Sequence, residues 1–218
     1  MKKLRYALLL VRRGAIRVLL RQVLSRARST SRYVWLAKDL DLAPSSGAAP
    51  RSLTLQLATS HDFQDILAGS EGEEGQDLYE ILRRVSFFKR GFDECYLFRT
   101  GSGELCHFGW LLSARHNALV RTHYPPGTAA LAGDEALVEN IYTYPSHRGK
   151  GVMLEALDHL EDLARGQGLR RIVAYVENTN LPSLKGFERA GYKPFAEERE
   201  IRRLFRIKRT GQIGRPAR

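Results

Sequence analysis

The sequence predicts a mixed α/β domain, an α+β or α/β arrangement whose sheet holds at least one parallel strand pair. Three observations predict it. Tyr96–Arg99 and His107–Leu112 flank Gly101-Ser102-Gly103, which is a hairpin signal. Leu137–Tyr144, a helix over 154–164 and Arg171–Val176 read as strand, helix and strand, and a helical crossover joins parallel strands. Of 218 residues, 43% are apolar, so the chain is not globally disordered and a core can form.

Taken in order, the elements begin with a basic arm. Leu4, Leu8, Val11, Ala15 and Leu19 recur at spacings of three and four, which stacks them on one side of a helix. Lys3, Arg13, Arg17 and Arg21 fall largely on the other side. Gly14 weakens that helix by about 1 kcal/mol, and Leu20 and Leu24 blur its polar face. Residues 1–37 hold ten Lys and Arg and no acid. Subtracting those ten from the chain's 35 leaves 25 against 24 Asp and Glu, a net of +1. The formal +11 therefore describes the arm, and the body alone gives no argument for nucleic acid.

Three readings of residues 1–37 stand side by side. The segment is a membrane-surface or partner-docking helix with arginines on anionic head groups. It is a targeting segment, Arg-rich, acid-free and followed by Ser25–Ser31. Or it packs on its own domain with solvated arginines. A secretory signal fits poorly, because Arg12 and Arg13 interrupt a short apolar stretch, and these two lack the surroundings of a twin-arginine signal. Ala43–Pro50, rich in Pro, Gly and Ser, reads as linker. The organisation expected is an arm over 1–37, a linker over 38–51, a domain over 52–210 and a tail over 211–218.

Within the domain, Ser52–Leu57 alternates as a half-buried strand does, and Ser60 can cap a helix through Leu67. Gly69–Gly75 reads as an acidic loop, and Leu78, Tyr79, Ile81, Leu82 and Val85 recur at helical spacing. Leu154, Leu157, Leu160 and Leu163 stripe the crossover helix. Pro182–Ala190 is a short helix ended by Gly191, and Tyr192 to about Ile207 holds two last strands. Cys95 and Cys106 fit small buried hydrophobes on neighbouring strands better than a disulfide framework. No apolar run reaches the roughly 18 residues of a bilayer span. His107, His123 and His147 are scattered, and no spacing indicates a metal site.

The chemistry-bearing stretch is Ile141–Met153. A strand runs into Ser146-His147-Arg148-Gly149-Lys150-Gly151, and the turn opens a helix. The first N–H groups of a helix have no partner inside it, and its dipole is positive there. Glycines let an anion approach the backbone, and Arg148 and Lys150 add charge. It is neither a Walker loop nor a GxGxxG turn. Some 30 residues on stands Asn178–Tyr192.

Together the two blocks resemble the GNAT superfamily of acyl-coenzyme-A-dependent N-acyltransferases. Its [RQ]xxGx[GA] pattern is met at Arg148 and Gly151 after Thr143-Tyr144-Pro145, with Met153 replacing the last small residue. Its second pattern is met at Asn180, Ser183, Phe187, Gly191 and Tyr192. The resemblance covers roughly residues 52–207. It implies a twisted central sheet of six to seven strands with flanking helices and a splayed parallel strand pair, to which the arm adds an amphipathic helix. It implies acetyl-CoA or another acyl-CoA as co-substrate and no metal. Main-chain groups of Ile141 and Thr143 would meet the pantetheine arm, and Arg148 and the amides of Gly149, Lys150, Gly151, Val152 and Met153 the pyrophosphate. Asn180, Ser183 and Phe187 would line the far side.

Aminolysis of a thioester needs a proton acceptor near the amine. Glu139 is the best candidate; two-residue alternation groups it with Leu137, Ile141 and Thr143, and a bulge would change that facing. Tyr142 and Tyr144 are hydroxyl alternatives. Phe187 stands where the family often has an acid tyrosine, so Tyr192, Tyr142 or water would protonate the thiolate, or it leaves unaided. Around the acceptor, Glu71, Glu73, Glu74 and Asp77 could draw a cationic amine, and Phe87, Phe88, Trp110 and Tyr124 could wall a pocket. The reading is an N-acyltransferase acting by direct attack in a ternary complex on a small-molecule or envelope-sugar amine. Its place would be the cytoplasm, at the inner face of a membrane if the arm docks there. The rival is a non-catalytic acyl-CoA sensor recruited by the arm.

Overall fold

A computed structural model describes residues 28–40, 51–68, 70, 75–124, 130–203 and 206–210. The helix expected over 4–19, the loop residues 71–74, most of the linker and the tail lie outside the described residues.

The strands are β1 (Arg28–Asp39), β2 (Thr54–Leu57), β3 (Cys95–Arg99), β4 (Leu105–Ser113), β5 (Glu135–Thr143), β6 (Arg171–Glu177), β7 (Lys193–Arg203) and β8 (Arg206–Thr210). The helices are α1 (Asp62–Ala68), α2 (Gly75–Phe88), α3 (Asn117–His123), α4 (Val152–Gly166) and α5 (Leu181–Arg189). All eight strands form one sheet in the order β2-β3-β4-β5-β6-β1-β7-β8. Neighbours are antiparallel except β5 and β6, which are parallel; the α4 crossover requires that. The expected hairpin closes at residues 100–104, where Thr100 N–H donates to Glu104 O at 2.9 Å.

One strand corrects the sequence reading. Residues 28–37, counted with the basic arm, and 38–39, counted with the linker, form β1, so the sheet has eight strands and starts at Arg28. The strand lies inside the sheet, antiparallel to β6 from Tyr33 to Asp39 and to β7 from Arg28 to Ala37. The helical periodicity ends at Leu19, and only the run of positive charge extended the arm further. Charge is no secondary-structure signal, whereas Tyr33-Val34-Trp35 is the β-branched and aromatic composition that a pleated surface favours. Trp35 and Leu36 bury on opposite faces.

Alternation sorts the core into two layers. On one face Leu36, Phe98, Cys106, Leu111, Val138 and Ala174 pack under α4 and α5. On the other, Trp35, Cys95, Leu97, Trp110, Leu137 and Val173 pack with α1 and α2. Cys95 and Cys106 are free, buried and on opposite faces. The α4 stripe is turned from the one predicted: Ala156, Leu157, Leu160 and Ala164 are buried, while Leu154 and Leu163 are only half-buried. Among the described residues no helix is long and apolar enough to cross a membrane.

Candidate active site

The two parallel strands pair over three rungs only, Glu135 with Arg171, Ala136 with Ile172 and Leu137 with Val173. Both run on, β5 to Thr143 and β6 to Glu177. Behind them β4 still pairs with β5 at Thr143, and β1 with β6 at Glu177. Each strand is thus held from its outer edge while the facing edges part, and a wedge opens beyond Leu137.

A bulge shapes the near wall. Trp110 stands opposite Glu139 and Phe108 opposite Tyr142, so β5 carries one residue more than β4. Asn140 absorbs it with φ at +52°, in the region that Asn tolerates better than most residues. Gly109 makes the close approach possible, since a Cβ there would lie 2.7 Å from Ile141 Cγ2. The bulge breaks the predicted grouping: Leu137, Tyr142 and Tyr144 share the α2 face, whereas Val138 and Ile141 pack toward α4. Arg84, buried on α2, donates Nε to Asn140 O at 2.7 Å and Nη2 to Ile141 O at 2.9 Å, and pairs with Glu80 at 2.6 Å.

Glu139 lies at the bulge. Burial pushes its pKa up to about 7, against the pull of the Arg83 charge, the Tyr175 hydroxyl, Arg84 and the Tyr124 hydroxyl. Burial and the Glu139 charge push Tyr124 and Tyr175 well above the ordinary phenol range. The buried Tyr124 hydroxyl has no hydrogen bond among the described residues. Trp35 stacks on Tyr175 with centroids 5.1 Å apart, and Tyr33 meets its edge at 5.7 Å. Arg83 is exposed at the rim and donates to Asn140 Oδ1 at 3.3 Å. Two phenols, Tyr124 and Tyr175, therefore stand beside a carboxyl group whose pKa lies near neutrality, as a proton acceptor requires, and Tyr33 and Trp35 pack on the Tyr175 ring.

The glycine turn follows β5. Gly149 and Gly151 take φ of +75° and +80°, and Gly151 precedes α4 as its N-cap. Among the described residues none of the N–H groups of Gly149, Lys150, Gly151, Val152 and Met153 donates a backbone hydrogen bond. A Cβ built on either glycine meets nothing within 4 Å. Successive donors with open space before them and a helix dipole behind make a concave anion cradle. Met153 leaves it open: a Cβ on Gly186 would lie 2.6 Å from Met153 Sδ, so the thioether packs against α5.

Several candidates are brought together and others are not. The Arg148 side chain turns back from the turn, donating Nε to Thr143 O at 3.0 Å and pairing with Asp77. Tyr142 also donates to Asp77, at 3.0 Å, with its ring between Arg84 and Arg148. Its hydroxyl is thus committed to the first turn of α2. Thr143 Oγ1 meets His107 Nδ1 at 2.7 Å, and burial lowers His107 to about 3. Asn180 caps α5, its Oδ1 accepting from Ser183 N–H at 3.3 Å. Phe187 is buried against Tyr192, with centroids 5.0 Å apart. Tyr192 belongs to the α4-side core, on the opposite face from Tyr142, and its buried hydroxyl makes no hydrogen bond among the described residues. The structure does not bring it to Glu139. Phe87 and Trp110 are core residues, while Tyr124 stands at the carboxylate.

Tyr175, Tyr33 and Trp35 were missed. Their only sequence signal was their strand-like composition, and what matters is that β6 and β1 bring them beside β5.

The chain matches the acetyltransferase (GNAT) family over residues 62–192. It is 34% identical over 55 residues to streptothricin acetyltransferase of Streptomyces lavendulae, covering 25% of this chain and 29% of that protein. Among solved structures, it resembles an acetyltransferase of the GNAT family from Colwellia psychrerythraea, with TM-score 0.52 and 14% identity over 82% of this chain and 57% of that one. A functionally unknown conserved protein from Staphylococcus epidermidis superposes with TM-score 0.55 and 10% identity, over 84% and 66%. The chain thus spans less than two thirds of each of these relatives.

Proposed function

Because this chain belongs to the acetyltransferase (GNAT) family, we propose that it transfers an acetyl or longer acyl group from acyl-CoA to a primary amine by direct attack in a ternary complex. The observation that carries the reading is Glu139, with a pKa of about 7, beside a strand wedge that leads to the glycine turn. When bound, the thioester supplies an acyl carbon and a thiol leaving group. The turn amides from Gly149 to Met153 would hold the pyrophosphate, and the edge groups of Ile141 and Thr143 the pantetheine amides. The carbonyl oxygens of those two residues already accept from Arg84 and Arg148. Each keeps a second lone pair, and the N–H groups remain donors.

In the transfer, the amine nitrogen bonds to the acyl carbon, the C–S bond breaks with its electrons on sulfur, and Glu139 takes the proton lost from nitrogen. The Tyr175 hydroxyl orients that carboxylate. No phenol from the second motif is needed as acid, since a thiol with pKa near 8.5 is a competent leaving group. The acceptor belongs to the class of small-molecule amines, which an aromatic wall and a carboxylate accommodate.

Isothermal titration with acetyl-CoA, CoA and longer acyl-CoAs tests the coenzyme half, and thiol release against a panel of amines tests the transfer. Saturable binding abolished by Gly151→Glu supports the cradle. Binding without thiol release for any amine would favour a sensor, and no binding at all would overturn the reading.

A further inference from the structure

β7 places charges on both of its faces, with one acid, the exposed Glu197, on the outer face beside Arg199. Glu198 and Glu200 turn inward and are buried, 4% and 1% exposed, bonded to Arg209. Arg199 and Arg203 turn outward and are exposed. Arg32 on β1 stands directly opposite Arg199, and Lys208 on β8 opposite Ile201. All four cations are exposed, and none makes an ion pair among the described residues. Like charges directly opposite across a ladder are destabilising, so this face keeps an unfavourable array in the absence of a partner.

We propose that the outer face of β1, β7 and β8, carrying Arg32, Arg199, Arg203 and Lys208, docks on an anionic lipid surface. Three adjacent strands present the charges in one plane, with neighbouring strands roughly 4.8 Å apart, which suits a layer of head groups. Among the described residues no aromatic side chain stands between them: Thr30, Ile201 and Thr210 fill the positions between. Tyr33, Trp35 and Tyr175 stand with the opposite face. A surface for single-stranded nucleic acid would need such rings for stacking. The preceding chain cannot neutralise the face, since residues 1–27 hold eight Lys and Arg and no acid. Their leucine stripe suits a lipid interface and has no use on nucleic acid. The net charges of the sheet face and of the preceding residues have the same sign, and the proposal stands whether or not acyl transfer holds.

The test is co-sedimentation of the full chain with phosphatidylcholine vesicles and with mixed phosphatidylcholine and phosphatidylglycerol vesicles. Binding to the mixed vesicles only is expected, weakening roughly tenfold for Arg199→Glu and further with Lys208→Glu added. Arg199→Glu places opposite charges across the ladder, so its Tm should hold or rise, which separates lost docking from lost folding. A Tm-neutral variant that binds as well as the parent would overturn the proposal. So would absence of binding to anionic vesicles, or a preference for RNA over vesicles that the same substitutions abolish.

Discussion

Arg84 clamps the bulge at Asn140, reaching the Asn140 carbonyl at 2.7 Å through Nε while Nη2 holds the next carbonyl. A left-handed non-glycine residue inside a central strand is strained, and a planar, forked guanidinium can satisfy two adjacent carbonyl oxygens as an ammonium cannot. Arg84→Lys and Arg84→Met are therefore expected to destabilise the protein by about 2–4 kcal/mol, since buried acceptors and Glu80 lose a charged partner. Urea unfolding reads the loss. The same variants should lower kcat more than they weaken acyl-CoA binding, because the bulge aims Glu139 while the cradle lies past the strand.

Glu139→Gln tests the proton acceptor. The side chain keeps its volume and loses its basicity, so thiol release in the presence of an amine should fall by about 10²–10⁴-fold. Affinity for acetyl-CoA by titration should stay within a factor of a few. In the parent, the rate should rise with pH through about 7 as the carboxyl loses its proton. Tyr175→Phe removes a hydroxyl that pulls that pKa down, so the limb should move to higher pH. An unmoved limb would place the titrating base elsewhere.

The parts legible in the sequence are those encoded locally. The hairpin at Gly101-Ser102-Gly103 and the Gly149–Gly151 turn each lie within a few consecutive residues, where glycine and apolar alternation speak directly. Glu139 could be picked as a carboxylate on a strand, but its surroundings could not: Tyr124 follows α3 and Tyr175 sits on β6, and only tertiary packing brings them together. The facing of Ile141 was misread because one left-handed residue, Asn140, shifts the period by one. β1 was hidden by its arginines, which drew it into the arm although Tyr33, Val34 and Trp35 already favoured a strand.

Met153 and Gly186 should behave as a coupled pair. Met153 fills the space that any side chain at 186 would occupy. Gly186→Ala gains about 1 kcal/mol of helix propensity and loses a similar amount or more by displacing the thioether. Alone it should leave stability level or lower. In a Met153→Ala background the clash is gone, and Gly186→Ala should then stabilise by about 1 kcal/mol. A double-mutant cycle in urea measures the coupling; additive effects would show that the contact is slack. Gly186→Ala alone should also weaken acetyl-CoA binding, because the displaced side chain has the mouth of the glycine turn beside it.

His107 and Glu139 give opposite pH dependences to stability. His107 is lowered from 6.5 to about 3 in the fold. Below pH 6.5 the unfolded chain takes up a proton that the folded one refuses, so stability falls as pH falls from 6.5 toward 3. Glu139 is raised from 4.5 to about 7. Between those values the folded chain holds the proton more tightly, so stability falls as pH rises from 4.5 through 7, and the full penalty stands above 7. Glu139→Gln removes only the second effect. Its Tm should lie close to that of the parent at pH 4.5 and pull ahead as pH rises, the gap approaching its limit by pH 8. A shift of that size is worth up to about 3 kcal/mol, several degrees in Tm for a domain of this length. A gap that is constant across the range would mean that Glu139 is as well solvated in the fold as in the unfolded chain, and the assignment of the base would fall with it.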